Sequence, residues 1–327
     1  MAVKPVIWIA ALLLAGLAFA AWTHYRAARA EAAAEAAYPP QGRLIDVDGV
    51  AVHARVMGAG PDLVLLHGAS GNTREFTFRL TEMLADRYRV ILFDRPGLGH
   101  SDPLHGRGES PREQARVLRA AAAELGVDTP ILGGHSYGGA VALAWALEAP
   151  EDVAAVVSIA GAAFPWPGKL APFYRYLDTW AGRRIAIPLI TAYLPEPVLR
   201  EQVAGVFAPQ SLPEGYVDHI AAPLSIRRAT MRANVRQVAA VKPHLRAMAK
   251  DYARLEMPIE IVHGTADDTV PLDIHSGPLA ETAPGARLTR LEQVGHMPHQ
   301  VTPDIVVEAI DRAAERAGLR SAGQTSY

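Results

Sequence analysis

The sequence predicts an α/β fold: a mostly parallel central β-sheet flanked by helices, with a helical cap insertion and an N-terminal membrane helix. Three observations predict it. Short apolar runs of strand length alternate with stretches of helical pattern, as in a parallel sheet buried on both faces. A run of about ninety residues, 164–255, breaks that alternation. The chain also opens on an uncharged stretch, Val6–Trp22, of 17 residues.

That stretch sits at the short end of what spans a bilayer as a helix. Trp8 and Trp22 lie near its two ends, where interfacial aromatics belong. The alanine- and glutamate-rich residues to Ala37 continue the helix until Pro39-Pro40 stops it. The expectation is a single-pass anchor that contacts membrane lipid. The alternative is a signal peptide cleaved at the small-x-small pattern Ala18-Phe19-Ala20, which would leave a secreted or periplasmic protein. Lys4 on one side and Arg26 and Arg29 on the other leave the orientation open.

Beyond Pro40 the pattern becomes strand-like. GRLIDVDGVAVHARVMG, residues 42–58, reads as a hairpin turning at Asp48-Gly49. Strands are expected at Asp62–Leu66, Arg89–Phe93, Pro130–Leu132, Ala154–Ile159, Pro258–Val262 and Arg287–Leu291. Helices are expected between most of them, at Phe76–Asp86, Pro111–Leu125 and Ala140–Glu148. The proline-rich, helical residues Phe164–Leu255 are read as a lid over the site rather than a separate domain, because a long insertion after one strand returns to the same sheet. The expected division is residues 1–38 for the anchor and linker, 39–163 and 256–318 for the two parts of the core, 164–255 for the cap, and 319–327 for a tail.

Composition excludes several classes of function. Half of the residues are hydrophobic and 20 % charged, which is a globular balance. A net charge of −2 gives no global sign of nucleic-acid binding. There is no cysteine, so disulfides, thiolate zinc sites and cysteine nucleophiles are out. Charge is uneven, however: the insertion carries 13 basic and 6 acidic residues, a net of +7, against −9 for the remainder. The plain reading is a solvated basic face; the sharper one is a face that rests on anionic lipid headgroups beside the anchor. Within the insertion, the apolar stretch Ile185–Pro195 is expected to line an acyl pocket, with the membrane interface as the alternative.

The chemistry begins at Gly134-His135-Ser136-Tyr137-Gly138. Glycines two before and two after the serine, between a short strand and a helix, fit a turn too sharp for side chains at those positions. Such a turn holds the serine out in a strained conformation. A serine hydroxyl is a poor nucleophile at neutral pH, so it needs a base and an acid that orients the base. Downstream, HGTADDTVP offers Asp267 and Asp268, and LEQVGHMPHQ offers His296 and His299, each after a strand. Asp267 is chosen as the orienting acid, with Asp268 as fallback. His296 is chosen as the base, with His299 helping to start the following helix or bonding locally.

An acyl transfer also needs N–H groups aimed at the developing oxyanion. One is expected from Tyr137, directly after the serine. The other comes from the strand and loop LVLLHGASGN, with Ala69 preferred over Ser70. No metal or cofactor is needed for this chemistry, and the partner implied is a small-molecule acyl substrate. The oligomeric state is left open.

HGASG, DRPGLGHSD, GHSYGG, HGTADDTVP and GHMPHQ follow one another in the family order of the α/β-hydrolases, and over residues 42–317 the chain resembles that family. The resemblance implies the α/β-hydrolase fold and the branch holding esterases, C–C bond hydrolases and cofactor-free haloperoxidases. It implies a structural role for the loop Asp94-Arg95-Pro96-Gly97 and the adjoining Gly99-His100-Ser101. Epoxide hydrolases and haloalkane dehalogenases carry aspartate where Ser136 stands, and proline iminopeptidases carry GGSWG at the elbow, so those activities are disfavoured. The expectation is a serine hydrolase of esters or related acyl compounds. A C–C hydrolase, a haloperoxidase-like enzyme, and a silent binding protein on the same fold are the alternatives.

Overall fold

A computed structural model describes residues 3–104 and 110–320. The tail expected at 319–327 lies outside the described residues from 321 onward.

Strands β1 (Arg43–Val47) and β2 (Val50–Met57) form the expected hairpin. Asp48 and Gly49 both take positive φ, 51° and 81°, the turn that matches strand twist. Then follow β3 (Asp62–Leu66), β4 (Arg89–Phe93), β5 (Ile131–His135), β6 (Ala155–Ile159), β7 (Ile259–Gly264) and β8 (Ala286–Leu291). The sheet order is β1-β2-β4-β3-β5-β6-β7-β8. The pairings β1–β2 and β2–β4 are antiparallel and all the others parallel.

Alternate residues of the inner strands feed two cores, which is why those strands read as unbroken apolar runs. Val64, Leu66, Ile91, Phe93 and Leu132 pack with helices Pro111–Glu124 and Tyr137–Glu148. Leu63, Leu65, Val90, Leu92 and Ile131 pack with helix Pro303–Arg316 on the other face. The helix expected at Phe76–Asp86 is two short ones, Arg74–Thr77 and Leu80–Leu84. Arg79 leaves the helical region (φ −141°) between them, and its guanidinium reaches across to the Gln300 carbonyl.

The strand order reverses between β3 and β5, where the chain crosses from one half of the sheet to the other. Loops at such a point part and leave a crevice beyond the carboxyl ends of the strands. Leu66 of β3 pairs with Gly134 of β5, so the loop after β3 and the turn after β5 leave the sheet side by side.

Between β6 and β7 the chain runs through helices Pro172–Leu177, Ile187–Tyr193, Glu196–Gly205 and Arg228–Met248. Leu177, Ile187, Met231 and Val235 form the interior of this insertion. Within the stretch Ile185–Pro195, Ile187, Pro188, Thr191 and Ala192 are buried and Ile185 is exposed. Helix Ile187–Tyr193 lies against both helix Arg228–Met248 and the N-terminal helix.

The N-terminal helix, Val3–Ala37, is continuous, as the absence of a breaker before Pro39 requires. Its two halves differ. Large apolar residues from Ile7 to Trp22 are exposed, whereas Thr23, Ala27 and Ala34 are buried against the insertion. Thr23 Oγ1 lies 3.2 Å from the Tyr193 hydroxyl, Glu31 bonds Arg228 at 2.6 Å and Glu35 bonds Arg227 at 2.8 Å. Part of the basic charge of the insertion is thus matched by acids of the N-terminal helix.

Candidate active site

Ser136 occupies the turn between β5 and helix Tyr137–Glu148, with φ 52° and ψ −118°. A non-glycine residue pays about 1–3 kcal/mol for such a conformation, which persists only where its surroundings enforce it. Here they do. The Ser136 N–H donates to the Ile159 carbonyl at 3.1 Å, and its own carbonyl accepts from Gly139 and Ala162. The flanking glycines are needed for space: a Cβ at Gly134 would lie 2.3 Å from the Gly138 carbonyl oxygen, and one at Gly138 would lie 2.0 Å from that of Leu66.

The loops after β7 and β8 bring Asp267 and His296 together. His296 Nδ1 donates to Asp267 Oδ2 at 2.7 Å. Asp267 also accepts from His263 Nε2 at 3.0 Å, and its other oxygen accepts the N–H groups of Thr269 and Val270, each at 2.9 Å. Burial alone would raise this carboxyl, but the bonds from His263, His296 and the backbone hold it well below the usual carboxylate range. Burial depresses the His296 imidazole, and the pull of Asp267 does not offset this, so the ring is neutral and able to accept a proton at neutral pH. Of the alternatives, Asp268 is exposed while Asp267 is buried. His299 sits fully buried in helix Pro298–Val301, against Phe76 and His135.

His263 is a site residue absent from the sequence reading. As the penultimate residue of β7 it lies four residues before Asp267, and its Nδ1 accepts the Ser276 hydroxyl at 2.6 Å. Nε2 faces two acceptors, Asp267 and the Val270 carbonyl, and so carries the ring proton, which leaves Nδ1 to accept from the Ser276 hydroxyl.

The loop after β3 lies against the serine: a Cβ at Gly68 would come within 3.1 Å of Ser136 Cβ. Within this loop the two candidate donors separate. The Ser70 N–H is spent on Asn234 Oδ1 of helix Arg228–Met248, at 2.8 Å. The Ala69 N–H has no acceptor among the described residues. Tyr137, the other expected donor, begins the helix directly after Ser136.

The α/β hydrolase fold family model matches residues 61–301. The chain belongs to the α/β-hydrolase fold family. It is 26 % identical over 253 residues to the 2-hydroxy-6-oxononadienedioate/2-hydroxy-6-oxononatrienedioate hydrolase of Cupriavidus pinatubonensis, covering 75 % of this chain and 84 % of that one. Other curated relatives are matched over as little as 32 % of their own length. A thermophilic esterase from Thermogutta terrifontis superposes with a TM-score of 0.67 at 21 % identity, over 84 % of this chain and 97 % of its own. A membrane phospholipase A described as a bacterial virulence factor superposes with a TM-score of 0.67 at 20 % identity, over 98 % of this chain and 100 % of its own.

In this α/β-hydrolase the loop after β4 frames the site from behind. Arg95 is fully buried, and burial pushes its guanidinium down to about 10, which leaves it charged at neutral pH. It donates to the carbonyls of His67 at 2.8 Å and Gly68 at 3.0 Å, and to Gln114 and Gln237 at 2.8 Å each. Its guanidinium also lies 4.3 Å from the centre of the Tyr137 ring. One side chain thus touches both segments expected to supply oxyanion donors. Asp94 braces the same loop, accepting the N–H groups of Thr73 at 2.6 Å and His100 at 2.8 Å and the His53 ring at 2.7 Å.

One further group carries metal-ligating atoms. Glu75, His135 and His299 are buried, and one ligand atom from each lies within 4.8 Å of the others. As placed, His135 Nδ1 and Glu75 Oε1 are hydrogen-bonded to each other at 2.7 Å.

Proposed function

We propose that the protein is a serine hydrolase that cleaves an ester or related acyl compound through an acyl-enzyme intermediate. The observations that carry this reading are the His296–Asp267 bond of 2.7 Å and, separately, a serine held at φ 52° in a strand-to-helix turn. In this mechanism Ser136 Oγ attacks the acyl carbon and passes its proton to His296 Nε2. Asp267 holds the ring in the tautomer that leaves Nε2 open, and stabilises the imidazolium that forms. The N–H groups of Ala69 and Tyr137 receive the oxyanion. His296 then protonates the leaving group, and water, deprotonated by the same ring, releases the acid.

Residues 164–255 act as the cap of this site, between core segments 39–163 and 256–318. Asn234 joins cap to site, since it holds Ser70 in the loop that bears Ala69. The N-terminal helix Ile7–Ala37 is long and apolar enough to cross a membrane, and we read it as a single-pass anchor that holds the cap near the lipid surface. The alternative is a signal sequence, whose removal would free the protein from the membrane. The substrate is then a small acyl compound, and no nucleic-acid contact is part of this reading.

A second reading has the same triad acting on a carbon–carbon bond; the likeness to the 2-hydroxy-6-oxononadienedioate hydrolase favours it. The two are separated by turnover of a short p-nitrophenyl ester against a vinylogous 1,5-diketone. The leading reading predicts ester hydrolysis that Ser136→Ala abolishes. Undiminished ester turnover in that variant would remove Ser136 from the mechanism.

A further inference from the structure

A second cluster of titratable groups includes the residue directly before Ser136. Glu75, on helix Arg74–Thr77, is 6 % exposed, His135 is 3 % and His299 is 0 %. His135 is the residue before Ser136. Its Nδ1 is 2.7 Å from Glu75 Oε1 and its Nε2 is 2.9 Å from the backbone carbonyl oxygen of His296. Both neighbours are acceptors when Glu75 is ionised. A neutral imidazole has one N–H and one lone pair, so it can serve only one of them.

The pair therefore holds one proton more than a neutral ring and a carboxylate would. The ordinary values are 6.5 for the imidazole and 4.5 for the carboxyl, so that proton belongs on the stronger base, the ring. Burying separate charges is costly, but these two are in contact.

We propose that Glu75 holds His135 as a buried imidazolium whose second N–H clamps the His296 carbonyl, so that His135 is a positioning residue tying the base-bearing loop to the nucleophile turn. The inference rests on the reading of Ser136 and His296 as nucleophile and base.

The surrounding groups agree with one cation here. His299 lies 3.4 Å from the same Glu75 oxygen, with its ring 4.4 Å from that of His135. Burial and the repulsion of His135 push His299 down to about 4, so it stays neutral. Burial would neutralise both Glu75 and His135; instead their mutual attraction holds the carboxyl well below its usual range and the imidazole above it. Asp267 adds a further attraction for the His135 cation from beyond His296. His67 and Arg95, from the β3 and β4 sides, face Glu75. With one ring nitrogen on a carboxylate and the other on a carbonyl, His135 keeps no lone pair for a metal ion.

Two consequences follow. The clamp fixes the His296 backbone relative to Ser136 without touching the reacting atoms. A cation whose ring lies 4.8 Å from that of His296 also opposes protonation of the base.

The test uses the full chain in detergent micelles with ¹⁵N-labelled histidine. The wild type is expected to show, at pH 8, one ring with both nitrogens protonated. That signal should vanish in His135→Asn and become a neutral ring in Glu75→Gln. A His135 ring with one bare nitrogen at pH 8 in the wild type overturns the proposal, and this needs no variant to fold. His135→Asn should also lower kcat/KM for a p-nitrophenyl ester about tenfold through misplacement of the base, whereas Glu75→Gln, whose amide can donate to Nδ1 while the neutral ring keeps its Nε2–H on the His296 carbonyl, should move the acid limb of the profile up by about one pH unit as the cation is lost. An acid limb that stays in place in Glu75→Gln contradicts the coupling to His296. If the wild type hydrolyses no ester, the functional reading fails, while the ring protonation still decides the charge of His135.

Discussion

His135 Nε2 donates to the backbone carbonyl of His296 at 2.9 Å, which joins the residue before the candidate nucleophile to the candidate base across 161 positions of sequence. The end of β5 and the loop after β8 thus share one hydrogen-bonded frame. The proposed chemistry depends on that frame, because a misplacement of about 1 Å can cost on the order of 10²-fold in rate.

Asp267→Asn tests the orientation of the base. The amide can present an N–H to His296 Nδ1, which would turn the ring to the tautomer with its proton on Nε2. We expect kcat to fall by about 10⁴-fold with the fold intact, measured by ester hydrolysis beside a thermal melt. Asp268→Asn, at an exposed position, should leave kcat within about twofold, as surface changes usually do.

The pH profile tests the state of His296. Its proton affinity is depressed from the ordinary 6.5 by burial, and the base works only when neutral. Activity should therefore persist as pH falls through 6.5 and be lost only below it, as the ring takes up its proton. An acid limb of kcat/KM above 6.5 would show that the ring is not depressed.

Asn234→Ala tests the link between cap and site. It frees the Ser70 N–H and leaves the Ser70 hydroxyl without the Asn234 donor seen at 2.9 Å. Loosening this loop should lower kcat by up to about 10²-fold. Asn234→Asp keeps the acceptor for the Ser70 N–H and should restore most of that loss.

Truncation tests the two halves of the N-terminal helix. Removing residues 1–22 takes away the exposed apolar half and should release the protein from membranes with its melting temperature unchanged, read by flotation and calorimetry. Removing residues 1–37 also strips Glu31 and Glu35 from Arg228 and Arg227, and uncovers Ala221 and Leu224. That should lower Tm, by about 1.5–2 °C for each kcal/mol lost in a chain of this size.

Much of the fold was legible because its signals are local. The Asp48-Gly49 turn, the alternation of apolar runs with helices, and the glycines around Ser136 each act within a few residues. Strands β3 and β4 fall on the expected Asp62–Leu66 and Arg89–Phe93. The buried polar partners were not legible, because their meaning comes from residues far along the chain. Arg95 reads as part of a glycine-rich loop until its bonds to His67, Gly68 and Gln237 are seen. Glu75 reads as one more helix acid until His135, 60 positions away, is found against it. Only His263 had a local hint, an imidazole four residues before Asp267 at the end of an apolar strand. The split of Phe76–Asp86 was hidden for the same reason, since the break at Arg79 serves a bond to Gln300.

The most direct measurement of the central claim is covalent labelling of the full chain with a fluorophosphonate, followed by peptide mapping. One adduct is expected, on Ser136, lost in Ser136→Ala and strongly slowed in His296→Ala. An adduct on any other residue, or labelling that survives Ser136→Ala, would contradict that claim.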